Sequence, residues 1–324
     1  MTGSDKEKYI RFCDDYQTKI PVFYQYWWLD AVCKNGTWEV ILYENRQNEI
    51  LACLPYFVTK KFGQKIITMP PLTPFTGVLT FLLNTKKEVN QSKNEQKIIK
   101  SLLSQLPKDI TYYTQSFYYS FDNWLPFYWQ KYQQTTRYSY VIDDIGNWSV
   151  AETAINIRNK INKAEKILTF EEINDPEILY HLVNKGLEDK KLKIVLSLEK
   201  FISLDEVLVS KNKRKIFIAK DAENRIHACI YLVFDSHSAY NLLLGSDPFL
   251  RKSGAIPYIL SKAILEAGKY VNVFDFEGSM LSPLNDLFGG FGGKRRSYYR
   301  IYKTKNIFWD IVYQIKNRYD KNNR

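Results

Sequence analysis

Apolar and polar positions alternate most regularly in two places along the chain. Trp38–Tyr43 reads as a strand, Glu44–Glu49 as a polar turn and Ile50–Thr59 as a returning strand, which together make a hairpin. The pattern recurs at 214–220 and 226–235, with a third strand at 238–245. Helical spacing dominates elsewhere. Val150, Ala154, Ile157, Ile161 and Ala164 fall on one face of a helix expected over 148–167, and Arg158, Lys160, Lys163 and Lys166 lie on its other face. Further helices are expected over 24–34, 176–190, 197–208, 254–270, 283–288 and 306–319, and a polar, Lys-rich insertion at 84–97 runs into a helix ending near 105. Strands are expected at 110–117, 137–142, 271–277 and 297–303, with a dense aromatic patch at 123–132.

The two hairpins are related by a shift of 176 residues, which lays Ile50-Leu51-Ala52-Cys53 on Ile226-His227-Ala228-Cys229 and Asn48 on Asn224. Three identities in four positions, with matching flanking strands, point to a duplicated module. The expected division is 1–145 and 146–324, joined by the helix from Trp148. Downstream the halves diverge. The second has a glycine-bearing loop, Gly245-Ser246-Asp247-Pro248-Phe249-Leu250-Arg251-Lys252-Ser253-Gly254-Ala255, where the first has the Pro-rich Met69-Pro70-Pro71-Leu72-Thr73-Pro74. Sister modules with different tasks are expected.

Composition narrows the partners. The 324 residues are 45% hydrophobic and 25% charged, an ordinary globular balance, and the formal charge of +11 favours anionic partners. The Lys and Arg are spread along the chain, and no DNA partner is expected. Cys13, Cys33, Cys53 and Cys229 have no metal-knuckle or redox spacing. The N-terminus lacks a signal-type apolar stretch, and no apolar run approaches a membrane span. A cytoplasmic, reduced protein is expected. His181, His227 and His237 are too scattered for a metal site, and none is expected.

A glycine loop opening a helix after a strand can present backbone N–H groups and the positive helix end to a phosphate. The loop resembles a loosened pyrophosphate loop of GNAT-type N-acyltransferases. The resemblance is closer to the Fem-type branch, in which two such modules occur in tandem. It rests also on Phe23–Asp30, which contains Trp28, on Asn156–Ala164, and on Phe274-Asp275-Phe276-Glu277-Gly278-Ser279 followed by Phe288-Gly289-Gly290-Phe291-Gly292-Gly293. Two departures stand out: the loop lacks the second glycine of the fuller coenzyme A pattern, and Gly289 stands where Fem-type ligases tend to carry Lys. The resemblance implies an α+β fold of two tandem modules, each a mostly antiparallel sheet flanked by helices. It implies transfer of an acyl or aminoacyl group from acyl-coenzyme A or aminoacyl-tRNA to an amine. The acceptor would be a small molecule or cell-envelope precursor bound between the modules.

Within that reading, Gly245, Ser246, Arg251, Lys252, Ser253, Gly254 and Ala255 would hold the donor. Trp28, Arg158 and Lys163 would contact substrate. Alternation along 274–277 places Asp275 and Glu277 on one face, with Glu277 the candidate base at a strand end opened by Gly278. Tyr298, with Tyr299 beside it, is a candidate leaving-group acid. His227 and His237 read as structural. The C-terminal helix, bearing Phe308 and Trp309 amid lysines, is expected to pack on the second module, with peripheral membrane contact as the alternative. Two other readings stay open: a non-catalytic binding protein, and a tRNA-dependent aminoacyl ligase.

Overall fold

The computed structural model describes residues 4–81, 88–188, 194, 196–278, 280 and 282–312. In chain order the elements are α1 (Asp5–Asp15), α2 (Tyr26–Val32), β1 (Thr37–Glu44), β2 (Ile50–Lys61), β3 (Gln64–Thr68), β4 (Leu79–Thr80), α3 (Glu88–Ser104), β5 (Tyr112–Ser116), α4 (Leu125–Trp129) and β6 (Gln133–Ile142). There follow α5 (Ile155–Ala164), β7 (Thr169–Ile173), α6 (Pro176–Glu188), α7 (Leu198–Ser210), β8 (Arg214–Lys220), β9 (Ile226–Phe234), β10 (Ser238–Ser246), α8 (Ala255–Ala267), β11 (Val273–Asp275), α9 (Ser282–Gly290) and β12 (Lys294–Thr304). Residues 307–312 are helical, and the rest of the helix expected over 306–319 lies outside the described residues, as do 84–87 of the polar insertion and 189–190 of the helix expected over 176–190.

By contact the chain forms two compact units: residues up to Arg137 together with those from Ser297 onward, and Tyr138–Arg296. These differ from the consecutive modules 1–145 and 146–324 expected from sequence, because the closing strand of each sheet comes from a distant part of the chain. In the first unit the strand order is β1-β2-β3-β5-β12, with β4 on β2; in the second it is β6-β11-β10-β9-β8-β7. Both sheets are antiparallel except at one place each, where β3 runs parallel to β5 and β10 parallel to β11.

The repeat is carried down to individual hydrogen bonds. Leu42 opposes Cys53 and Tyr43 opposes Ala52, with a bulge between Tyr43 and Glu44; Ile218 opposes Cys229 and Ala219 opposes Ala228, with a bulge between Ala219 and Lys220. In the turns, the Asn45 and Asp221 side chains accept the same pair of backbone N–H groups, from Gln47 and Glu49 and from Glu223 and Arg225. Asn48 and Asn224 both adopt φ 61°. Each unit thus follows one plan: two helices, a hairpin, a third antiparallel strand, a loop, a long helix and a parallel strand.

Alternation along the hairpins decides which helix covers which face. Ala228, Ile230 and Leu232 meet α8 and α5 in one core, and Ala52 and Leu54 meet α3 in the other. The intervening side chains serve the opposite face, where Cys229 contacts the Leu179 carbonyl of α6 and the Tyr231 ring packs on Phe201 of α7. All four cysteines are buried and free.

α1, β3, β4, α4 and β7 have no counterpart in the pattern reading, which overruns β11. α1 has only Tyr9 and Cys13 buried, one apolar contact per turn, and is announced instead by a capping box between Ser4 and Glu7. β7, Thr-Phe-Glu-Glu-Ile, is a mostly exposed edge strand with little hydrophobic signal. β11 stops at Asp275 rather than running to 277, for a reason given below.

The shared turn yields a test. Asn tolerates the left-handed backbone that a β-branched residue resists, at about 1–2 kcal/mol. Asn48→Val and Asn224→Val should each destabilise by about that amount in urea unfolding, and Asn48→Gly and Asn224→Gly by a few tenths at most, with the two turns responding alike.

Candidate active site in the second unit

β10 and β11 pair over three residues only, Ser238–Tyr240 with Val273–Asp275. Beyond Tyr240 the strand β10 continues to Ser246 without β11 beside it. A bulge against β9 between Asn241 and Leu243 falls where this separation begins, leaving Leu242 without a register partner. Asn241 is buried there with its Oδ1 unpartnered among the described residues. The geometry is a parallel pair that opens along one strand.

At the far end of β10 the chain enters the glycine-bearing loop. Asp247 organises the entry: its Oδ1 accepts the Phe249 N–H at 2.9 Å, its Oδ2 meets Lys185 Nζ at 2.9 Å, and its own N–H is donated to the His227 carbonyl at 3.0 Å. Two turns of 3-10 helix, Pro248–Ser253, lead to Gly254 at φ 77°, and α8 starts directly after it. A Cβ on Gly254 would lie 2.9 Å from the Lys160 carbonyl, so the residue is glycine for both conformation and closeness to α5. The N–H groups of Ala255 and Ile256 meet no acceptor among the described residues, as a helix start leaves them.

These elements enclose a cavity of about 750 Å³ lined by Ser246, Arg251, Lys252, Ser253, Gly254 and Ala255 from the loop, Lys160 and Lys163 from α5, Leu284, Asp286 and Leu287 from α9, and His227 from β9. Four cationic side chains face one carboxylate, and two free N–H groups lie at a positive helix end. That set fits a phosphate-bearing ligand. His227 was passed over in the sequence as structural. It is 5% exposed, its Nε2 is 2.9 Å from Asp221 Oδ2, and its Nδ1 is buried without a partner among the described residues. Nothing in the local sequence marks it, because its place in the cavity wall is set by the fold. Gly245 is set apart from the lining: its missing Cβ lets β10 approach the Val183 backbone of α6.

The acids lie at the other end of β10, where Tyr240 is the register partner of Asp275. Asp275 is 2% exposed and accepts hydrogen bonds from Ser139 Oγ of β6 and, at 2.9 Å, from the Glu277 N–H. This second bond turns the backbone and ends β11, and Glu277 sits at φ 56°. The alternation expected over 274–277 therefore stops at 275, and it is the Asp275 turn rather than the pleat that places Glu277. Gly278 does not open the strand end either. It is packed so closely on β6 that a Cβ would lie 1.8 Å from the Tyr138 carbonyl, and its N–H is donated to Ser139 Oγ at 3.1 Å. Burial raises the Asp275 carboxyl to about 6, with Ser139 and the Glu277 N–H opposing the rise. Burial first, and then the charge of Asp275, raises Glu277 well above the usual range, and its Oε1 has no partner among the described residues. The Phe288–Gly293 block has a packing role here: Phe288 stacks on Phe276 at 4.9 Å, and the Phe291 carbonyl accepts the Trp148 indole N–H.

The remaining candidates fall elsewhere. Arg158 donates through Nη2 to the Ala151 and Thr153 carbonyls, clamping the turn before α5. Trp28 is fully buried in the first unit, edge-on to Phe23, with its N–H on Thr73 Oγ1, so its ring offers no surface to a ligand. Tyr298 is half-buried on the part of β12 that belongs to the first unit. In that unit, the segment equivalent to the glycine-bearing loop is filled: Phe75 packs on Phe23 and Tyr118, and Met69 Sδ accepts the Ser116 N–H. Among the described residues, no group of three or more His, Cys, Asp or Glu is placed to hold a metal.

Two tests follow. Gly254→Val should cost about 1–3 kcal/mol of stability in urea unfolding, because the backbone is left-handed and the Lys160 carbonyl blocks the side chain. It should also weaken inorganic pyrophosphate binding at least about tenfold by calorimetry, since the cradle deforms. The Asp275 carboxyl gives a pH signature. Its folded value of about 6 lies above an unfolded value of about 3.9, so between these the folded state binds more protons and stability falls as pH rises. The penalty is absent below about pH 4, and Asp275→Asn should flatten the slope across that window in urea midpoints.

No family model and no curated protein matches the chain. Solved structures do. FemX aligns at 11% identity over 97% of this chain and 98% of its own, with a TM-score of 0.63. L-PGS from Bacillus licheniformis aligns at 12% over 95% of both chains, TM-score 0.55. A tandem GNAT protein from the clavulanic acid biosynthesis pathway aligns at 8% over 92% of this chain and 94% of its own, TM-score 0.53. Matching over nearly the whole of each chain, with the internal repeat and the opened parallel pair in place, the chain has the Fem-like fold of two tandem GNAT-type modules.

Proposed function

We propose that this protein is an acyltransferase whose second unit binds a long, phosphate-bearing activated donor and moves its acyl or aminoacyl group to an amine. The observation that carries this reading is the spacing of two unlike sites on one strand. The cationic cavity lies at Ser246 and the buried carboxyls lie at Tyr240, six residues apart or about 20 Å at the rise of a strand. A donor with phosphates at one end and its reactive carbonyl at the other spans that distance along the free edge of β10. Coenzyme A thioesters have this shape, and the four cations with the Ala255 and Ile256 N–H groups suit their phosphates.

In the step proposed, the amine nitrogen attacks the donor carbonyl carbon, a C–N bond forms, and the bond to the leaving sulfur or oxygen breaks. The Glu277 carboxylate takes the amine proton, its proton affinity raised above the ordinary carboxylate range by burial and by the charge of Asp275. Asp275 acts through Glu277, fixing its backbone and raising its pKa. The proton that Glu277 takes passes on to the leaving sulfur or oxygen, so the leaving group departs protonated and the carboxylate is restored. A small molecule or a cell-envelope precursor bearing an amine is the acceptor class this chemistry fits.

A tRNA-borne donor is the second reading, favoured by the net charge of +11 and the exposed Lys160 and Lys163 beside the cavity. A thermal-shift series with acetyl-coenzyme A, coenzyme A and aminoacyl-tRNA discriminates, since a ligand bound only by the folded state at about 100 times its Kd adds about 2.7 kcal/mol. Stabilisation by none of these points to a binding protein without donor chemistry. With the stabilising donor, Glu277→Gln should lower turnover by about 10²–10⁴-fold at nearly unchanged donor affinity. Unchanged turnover per folded molecule would assign Glu277 to structure.

A further inference from the structure

The first unit carries an apolar surface that its own packing leaves uncovered. Phe62, at the tip of the β2–β3 hairpin, is 65% exposed and holds φ 50°, a backbone that bulky residues resist. Its ring touches Phe308 and Trp309 yet stays mostly in solvent. Close by, the helical residues 307–312 are anchored by Trp309, which is buried, stacks on Tyr112 at 5.0 Å and donates its N–H to Gln64 Oε1 at 2.9 Å. With Trp309 inside, Ile307, Phe308 and Ile311 are left 76%, 44% and 51% exposed. The Phe62 and Phe308 rings meet edge to face at 5.6 Å, so hairpin tip and helix form one patch.

The rim of this patch is basic. Lys60, Lys61, Lys65 and Lys305 are all exposed, and Lys61 Nζ lies 5.5 Å from the Phe62 ring centre. The nearby acids are engaged: Asp109 pairs with Lys65, and Asp310 accepts the Thr304 hydroxyl. Aromatic and aliphatic side chains ringed by lysines suit an interface whose interior is apolar and whose surface is anionic. A second copy docked on the same patch would bring these lysines against their own kind.

We propose that this face, formed by Phe62, Ile307, Phe308 and Ile311 within the lysine rim, docks the protein on an anionic bilayer surface. The apolar residues enter the headgroup boundary and the lysines hold acidic headgroups, so the protein lies on the membrane. The inference stands apart from the donor reading, since no residue of the cavity or the carboxyl pair takes part.

The test is co-sedimentation of the full chain with vesicles of phosphatidylcholine containing phosphatidylglycerol, against phosphatidylcholine alone. The wild type should bind the anionic vesicles and bind the neutral ones at least about tenfold more weakly. Lys60→Glu with Lys61→Glu should lower anionic binding by more than about tenfold and reduce its salt dependence. Phe62→Ser with Phe308→Ser should lower binding about tenfold or more even at low salt. If the double variant fails to fold, Phe62→Ser alone, at an exposed hairpin tip, carries the test. Absence of wild-type binding to anionic vesicles overturns the proposal, and so does binding that the Phe variants leave unchanged. Sedimentation equilibrium that finds a dimer dissolved by Phe62→Ser overturns it too, assigning the patch to a second copy.

Discussion

One buried carboxylate organises the second unit. Asp275 ends β11, receives Ser139 Oγ from β6 and the N–H of Glu277, and so fixes three pieces of chain in one small volume. Gly278 lies against the Tyr138 backbone because Ser139 also takes its N–H. Glu277 is thereby held half-buried in a left-handed conformation beside a second acid, with its Oε1 shielded from water. A carboxylate removed from solvent is expensive unless hydrogen bonds replace the lost hydration, and two of them do so here. The cost that remains appears as raised pKa values.

The same logic explains why two copies of one module differ. Both hairpins are pinned by the same turn hydrogen bonds, and both lead through an antiparallel strand to a parallel neighbour. In the first unit the loop after that strand is built from proline and aromatic residues and closes on itself through Phe23, Phe75 and Tyr118. In the second it is built around Gly254, which lets the backbone reach α5 and leaves a helix start exposed to a cavity. The hairpin plan is common to the two units, and the loops differ.

The sequence by itself determined the hairpins, the long helices and the repeat, because each rests on interactions between near neighbours. Strand alternation decides which side chains face α8 or α6, an Asn at a left-handed position decides the turn, and an offset that preserves both is legible in the residues alone. The glycine-bearing loop and the acids at 275 and 277 were legible for the same reason, since helix starts and carboxylates carry their chemistry locally. Tertiary structure decided the rest. β7 is an edge strand with little apolar signal, and β12 joins the first unit because its partner, β5, lies nearly 190 residues earlier. Trp28 reads as a substrate contact until the fold encloses it. His227 becomes a lining residue only because α5, α9 and the loop leave a cavity beside its stretch of β9. The environment of Glu277 was out of reach for the most basic reason: desolvation and the nearness of Asp275 are properties of the assembled volume, which no stretch of sequence contains.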